Sequence, residues 1–279
     1  MLVNSKEVLL KAKREGYAVP ASNVMNSDTV HAALEASKEK NLPLIVALAE
    51  VHTDIFSIKE CAALVKKLIE DHEQKIVLHY DHGFTVSKVK EAIDEGFTSV
   101  MIDGSSLPYA ENVAKTREIV EYAHARNVTV EAEIGHVGGG ESYIDPTKDK
   151  SMLTTVEEAV RFANDTGVDS LAVSIGTAHG EYKGTPNINF ERLEAIKNAI
   201  EIPLVLHGGS GTGDDNLSRT AKMGICKINL FTDLANAARE ASKESYGTIS
   251  YPDSCALARK GYKEKLIHYY EVFGTKVDE

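Results

Sequence analysis

A surplus of basic residues is missing. Lysine and arginine number 31 against 42 aspartates and glutamates, a formal net charge of −11. Nucleic acid and anionic membrane surfaces both need a basic face, so neither is expected as a partner. Cysteine is scarce as well. Cys61, Cys226 and Cys255 show no CxxC spacing, and three is an odd count. That fits a reduced, cytoplasmic chain in which they serve as small buried apolar side chains. No apolar run approaches the roughly 18 residues that cross a bilayer, and the first residues carry no signal-peptide pattern. There is no Pro/Ser-rich linker and no charge block to divide residues 1–279, which read as one domain. No GxGxxG follows an early strand, and this weakens the case for a doubly wound dinucleotide fold.

What the sequence does have is alternation. Short, strongly apolar runs occur at Tyr17–Ser22, Leu44–Ala49, Ile76–Tyr80, Ser99–Ile102, Thr129–Glu133, Leu171–Ile175, Leu204–His207 and Cys226–Leu230. Such runs suit strands covered on both faces, as in parallel sheets. Between them lie segments with apolar residues at helical spacing: Asp28–Lys40, Ser57–Glu73, Val86–Glu95, Tyr109–Arg126, Val156–Thr166, Phe190–Ala199, Asp214–Lys222 and Asp233–Ser245. Ser27-Asp28 and Thr154-Thr155 followed by Glu157 and Glu158 read as helix starts. Gly96, Gly167 and Gly224 read as helix stops. Eight such pairs in 279 residues predict an α/β fold, a closed TIM (β/α)8 barrel. Two segments stand outside the alternation: a polar glycine-rich stretch, Gly135–Met152, and an extra C-terminal helix, Asp253–Phe273.

A barrel of this kind works at the C-terminal ends of its strands. Three of those ends carry His-Gly: His82-Gly83, His179-Gly180 and His207-Gly208. Imidazoles converging on one mouth form a catalytic zinc set with an open fourth position. A lone histidine is more often structural, but three at matching strand ends beside acids favour the metal. The metal would act as a Lewis acid on a carbonyl. Asp81, next to His82, is the natural carboxylate to move a proton. His207-Gly208-Gly209-Ser210-Gly211 offers backbone N–H groups to an anion after strand seven, a usual phosphate position in barrels, and Gly180 and Lys183 add donors after strand six.

These segments resemble the class II fructose-bisphosphate/tagatose-bisphosphate aldolase family. The likeness rests on Leu78-His79-Tyr80-Asp81-His82-Gly83, on Val130-Glu131-Ala132-Glu133-Ile134-Gly135 followed by Gly138-Gly139, on Ser174-Ile175-Gly176-Thr177-Ala178-His179-Gly180, on Leu206-His207-Gly208-Gly209-Ser210-Gly211, and on Lys227-Ile228-Asn229 with Thr232-Asp233. The resemblance implies a zinc-dependent aldehyde-lyase that cleaves a phosphorylated ketose to dihydroxyacetone phosphate and an aldehyde. It implies zinc on His82, His179 and His207, with Asp103 and Glu133 at an alternative or second divalent position. Asp81 becomes the acid/base, and Glu141, in the glycine-rich loop, a second proton-transfer carboxylate. Asn23, Gly180, Gly208, Gly209, Ser210, Asn229 and Thr232 fall at the donor phosphate half, and Gly180 and Gly208 lie where such enzymes hold a monovalent cation, Na+ or K+. A homodimer or homotetramer is implied, with Asp253–Phe273 as a contact helix. No Schiff-base lysine is needed.

The sequence departs from the pattern on the aldehyde side. Ala49-Glu50-Val51-His52 replaces a small hydroxyl residue and glycine, Phe231 replaces a polar or small residue, and an arginine for the far phosphate is missing, with Arg259 as the nearest candidate. Losing a bidentate arginine weakens the hold on a second phosphate. The alternative substrate is therefore a ketose 1-phosphate whose aldehyde carries no phosphate. A barrel metallohydrolase and a non-catalytic metal-binding homologue are the readings from other classes. The first predicts hydrolysis, and the second predicts metal binding without turnover.

Overall fold

The computed structural model describes residues 1–135, 138–139, 153–180, 186–245 and 248–277, with the backbone alone for His179 and Glu244. Strands β1 (Val19–Asn23), β2 (Leu44–Ala49), β3 (Ile76–Gly83), β4 (Ser99–Ile102), β5 (Thr129–Ile134), β6 (Ser170–Val173), β7 (Leu204–Leu206) and β8 (Ile225–Leu230) close into one parallel barrel, β8 pairing with β1. Gly138–Gly139 and Ala178–His179 form a small parallel ladder of their own.

Helices follow the strands in sequence order: α1 (Ser5–Glu15), α2 (Ser27–Lys40), α3 (Ile58–Leu68), α4 (Val86–Asp94), α5 (Tyr109–His124), α6 (Val156–Thr166), α7 (Phe190–Ala199), α8 (Asp214–Lys222), α9 (Thr232–Ser242) and α10 (Tyr251–Phe273). Their ends have local causes. Asn26 caps α2 and Thr155 caps α6, each in a reciprocal pair with the residue three positions on. Gly96, Gly167 and Gly224 all take positive φ past a helix end, as their positions predict. Helix α3 stops at Leu68, short of the predicted Glu73: Ile69 is its C-cap, and the polar residues 70–73 beyond it turn back.

Two layers of apolar side chains hold the barrel. Outward-pointing Val46, Leu78, Val100, Val130, Leu171, Leu206 and Ile228 pack under the helices. The inward set at the N-terminal end, Val19, Ile45 and Val77, is plugged by Val8, Leu9 and Ala12 of α1, an element the alternation pattern did not announce. Helix α10 lies on α2 and α9 and turns Tyr262, Leu266, Tyr269, Tyr270 and Phe273 into its own chain. No described helix is long and apolar enough to cross a membrane.

Candidate active site

Side chains alternate along a strand, so residues two apart share a face. That period carries chemistry up the barrel interior: His79 then Asp81 on β3, Glu131 then Glu133 on β5, Lys227 then Asn229 on β8, all buried. At the C-terminal mouth they meet Asn23 at the end of β1, Asp103 after β4 and His207 after β7. A cavity of about 450 Å³ opens there, lined among others by Asn23, Asp81, His82, Asp103, Glu133, Gly180, Gly208, Gly209, Ser210, Asn229 and Thr232.

Asp81 and His82 are neighbours in sequence, yet both reach this cavity. The β3–β4 register slips between Tyr80 and Gly83, and His82 takes the left-handed region at φ 45°. A bulge there turns the second residue inward, and a non-glycine residue with positive φ stores strain typical of functional sites. Gly83 is obligatory at that turn, since a Cβ would sit 2.6 Å from the Met101 carbonyl oxygen.

The Asp81 carboxylate is held from both sides. Asn23 Nδ2 donates to Oδ2 at 2.8 Å and Asn229 Nδ2 donates to Oδ1 at 2.9 Å. Burial alone would raise the Asp81 pKa, but the charge on His82, the hydrogen bond from His79 and the charges on Lys227 and His207 together outweigh it, and the group lies well below the usual carboxylate range. It stands ionised at neutral pH.

The two described imidazoles present a metal-ligand geometry. His82 Nε2 and His207 Nδ1 are 2.8 Å apart. Each ring bonds a carboxylate through its other nitrogen: His82 Nδ1 with Asp103 Oδ2 at 2.9 Å, His207 Nε2 with Glu131 Oε1 at 2.9 Å. With those N–H groups donated to the acids, the two facing nitrogens offer lone pairs to one point, an arrangement that suits a cation and is the common outer-shell pattern of metal-bound histidine. Glu133 Oε2 lies 3.6 Å from His207 Nδ1 and, although buried, has no hydrogen-bond partner among the described residues. Burial and then the Asp103 charge push its pKa up to about 8. A cation would satisfy all three donors. Without one, burial opposes a charge on His82, but Asp81, Asp103 and Glu133 together raise its pKa to about 9. Burial and the His82 charge keep His207 neutral by lowering its pKa. His82, Asp103 and Glu133 also form a compact donor group, as do Asp81, His82 and His207.

The anion turn differs in detail from its expected form. The Gly209 N–H bonds Asn229, the Gly211 N–H bonds Asp233, and the Thr212 N–H bonds Gly209. These donors are used inside the loop rather than offered at the start of α8. Ser210 Oγ accepts from the Phe231 and Asp233 N–H groups, tying the turn to the first residues of α9. Ser210 and Thr232 both line the cavity, so the N-terminal end of α9, where the helix dipole favours negative charge, faces that space. Gly208, at φ 68°, lies against the Ala178 carbonyl, where a Cβ would come within 2.3 Å. This close approach brings the backbone strand that carries His179 beside the His207 turn. The His179 side chain, Glu141 and Lys183 lie outside the described residues.

Residues 3–277 match the protein family described as fructose-bisphosphate aldolase class-II. The chain belongs to that family. Among solved structures it is similar to the YdjI aldolase from Escherichia coli K12, 29% identical at a TM-score of 0.90 over 99% of this chain and 98% of that one. It is similar too to a putative fructose-1,6-bisphosphate aldolase from Coccidioides immitis, 26% identical at TM-score 0.86 over 96% and 95% of the two chains. A fructose-bisphosphate aldolase from Campylobacter jejuni, at 22% identity and TM-score 0.84 over 100% and 97%, shares the fold.

In this class II family member apolar side chains line much of the rest of the cavity: Ala49, Val51, Phe84 and Phe231, with the His52 ring 4.7 Å from that of Phe231. No lysine or arginine lines the cavity among the described residues. Arg259 is not brought to it. That guanidinium pairs with Glu35 and lines a separate cleft beside α2 and α10. Glu50, an odd residue for its position, accepts from the Phe84 and Thr85 N–H groups and the Thr85 hydroxyl, bracing the loop after β3. Sequence reasoning gave no role to Glu131 or Lys227, although their signal was present: a charged residue two places before a mouth residue on a buried strand.

Proposed function

We propose that this chain is a metal-dependent aldolase that cleaves, and in reverse forms, the C3–C4 bond of a ketose 1-phosphate. Its products would be dihydroxyacetone phosphate and an aldehyde without a phosphate. The observation that carries the reading is one cavity in which an ionised Asp81, two histidine nitrogens 2.8 Å apart and the Ser210–Thr232 anion turn face an apolar wall free of lysine and arginine among the described residues. His82 and His207, with His179 expected as the third ligand, would hold zinc, and Asp103 and Glu133 would serve an alternative or second divalent position. When bound, the metal supplies Lewis-acid polarisation of the donor's carbonyl and hydroxyl oxygens.

The chain's own residues do the rest. Ser210 and Thr232 would orient the phosphate beside the Gly208–Gly209 backbone, whose lack of side chains leaves it room, with Gly180 and Lys183 expected to add donors and Gly180 and Gly208 to flank a sodium or potassium ion. Asp81, steadied by Asn23 and Asn229, accepts the C4 hydroxyl proton as the C4 carbonyl forms. The C3–C4 electron pair passes to the donor half, which regains a proton at C3, and Glu141 is the expected carboxylate for that transfer. Val51, Phe84 and Phe231 shape the place of the departing aldehyde.

Bisphosphate cleavage is the second reading, favoured by the name of the Coccidioides immitis relative. An assay coupled to dihydroxyacetone phosphate decides between them. Zinc-loaded enzyme is offered ketose 1-phosphates and ketose 1,6-bisphosphates, with chelator and Asp81→Asn controls. Release from monophosphates, lost in both controls, is expected. A bisphosphate cleaved with higher kcat/KM than every monophosphate would sink the monophosphate reading, and no release from either class would sink the aldolase reading.

A further inference from the structure

Barrel interiors are ordinarily filled with branched apolar side chains. Here one layer below the catalytic mouth holds an ion pair. Lys227 is 1% exposed, and its Nζ donates to both oxygens of Glu131, at 2.8 and 2.9 Å. Nζ also lies 3.5 Å from His79 Nε2, and His79 Nδ1 bonds Ser99 Oγ at 2.8 Å. Such a pair is no bargain for stability, because a buried ion pair seldom outperforms apolar packing of the same volume. Lys227 does not line the cavity either, so it is not placed to attack a substrate.

What the pair does is fix a neighbour. Glu131 Oε1 also bonds His207 Nε2 at 2.9 Å, while the other nitrogen of that ring faces His82 Nε2 at 2.8 Å. We infer that Lys227 is a positioning residue: by clamping both Glu131 oxygens it keeps that carboxylate an acceptor for the His207 Nε2–H, and so leaves the His207 Nδ1 lone pair turned to the mouth. A carboxylate anchored by one ring alone could rotate away, and without an acceptor beside Nε2 the facing nitrogen could carry the hydrogen instead. The string Lys227–Glu131–His207 sets which atom of the histidine can hold a cation. This rests on the metal reading of the site given above.

Two measurements test it. First, metal-free wild type, Lys227→Met, Glu131→Gln and the double variant are titrated with Co²⁺ against a chelator of known affinity, with far-UV circular dichroism confirming the fold. Lys227→Met is expected to weaken cobalt binding about 10–100-fold, the usual effect of losing an outer-shell partner. The same substitution in the Glu131→Gln background is expected to change it by less than about threefold, since the clamp has nothing left to hold. Equal losses in the two backgrounds, or wild-type affinity in Lys227→Met, would overturn the inference. Second, ¹⁵N spectra of histidine in metal-free wild type report the tautomer directly, whether or not any variant folds. His207 is expected as the Nε2–H form, and an Nδ1–H form overturns the inference. Failure of wild type to bind any divalent ion would overturn the metal reading instead, and the tautomer spectrum would still decide the role of Lys227.

Discussion

Asp81 sits between two amides, and its role follows from what they leave it. Asn23 and Asn229 give each oxygen one donor, while burial keeps water away. The remaining lone pairs are available for a substrate proton. Replacing Asp81 by Asn keeps the volume and removes the base, so kcat is expected to fall on the order of 10²–10⁴-fold with the KM for the phosphorylated donor little changed. Steady-state kinetics on the zinc-loaded variant check this. A second expectation at this scale concerns pH. In the metal-free protein the His82 pKa is raised from 6.5 to about 9 and that of Glu133 from 4.5 to about 8. A raised folded-state pKa contributes stability below the unfolded value and loses it as pH climbs through the folded one. Chelated protein should therefore weaken as pH rises from 6.5 to about 9. An ion must displace the same proton, so apparent metal affinity should rise over that range. The gap in Tm between loaded and chelated protein should widen with pH, which paired thermal melts would show. At the residue scale the sequence was legible wherever a motif ended a strand: Asp81, His82, His207, Asp103, Glu133, Asn23, Asn229 and Ser210 all line one cavity or its turn. Glu131, Lys227 and Glu50 were given no role: the first two showed as charges on buried strands, but a charge in mid-strand or after a strand says nothing of its partner until the partner is placed.

Elements were easier to read than their endings. The two periodicities that separate strand from helix are written directly in the order of apolar residues, and glycines with positive φ punctuate them. Helix α1 escaped because it precedes the first strand and plugs the barrel floor instead of covering its side. The Ala178–His179 ladder escaped because two residues carry no period. The C-terminal helix was expected outside the alternation, and its aromatic face packs on its own barrel. The Tyr262 hydroxyl bonds Ser22 Oγ at 2.9 Å and donates to the Asn23 carbonyl at 2.8 Å. Tyr262→Phe is expected to lower stability by about 1–3 kcal/mol, the cost of leaving buried groups unsatisfied. It should also lower kcat by releasing the end of β1 that carries Asn23. Denaturant melts and kinetics together test this, and a stability loss with unchanged kcat would separate α10 from the site.

For the molecule as a whole, alternation alone pointed to a closed barrel, since eight apolar runs with helices between them leave few other ways to cover every face. Val51 and Phe231 were legible as departures on the aldehyde side; what could not be read was that Phe84 and His52 join them, which depends on the loops after β2, β3 and β8 meeting across space. The metal reading carries a global expectation. An ion that binds only the folded barrel adds about 4 kcal/mol when present at a thousandfold over its Kd. Chelation should then lower Tm by roughly 8–16 °C, taking about 2–4 °C per kcal/mol for a domain of this size class, while far-UV circular dichroism stays that of the barrel. Calorimetry with and without chelator measures it, and an unchanged Tm would count against a tightly held ion.

The turn at His82 has one more implication. Asp81 and His82 are consecutive links of one chain, so the spacing between the residues proposed as proton acceptor and metal ligand is written in covalent bonds rather than in packing. Drift elsewhere can therefore reshape the chamber without pulling the two apart. On that proposal the loops bearing Val51 and Phe231 are free to be rewritten for a new aldehyde, while this pair keeps its gauge.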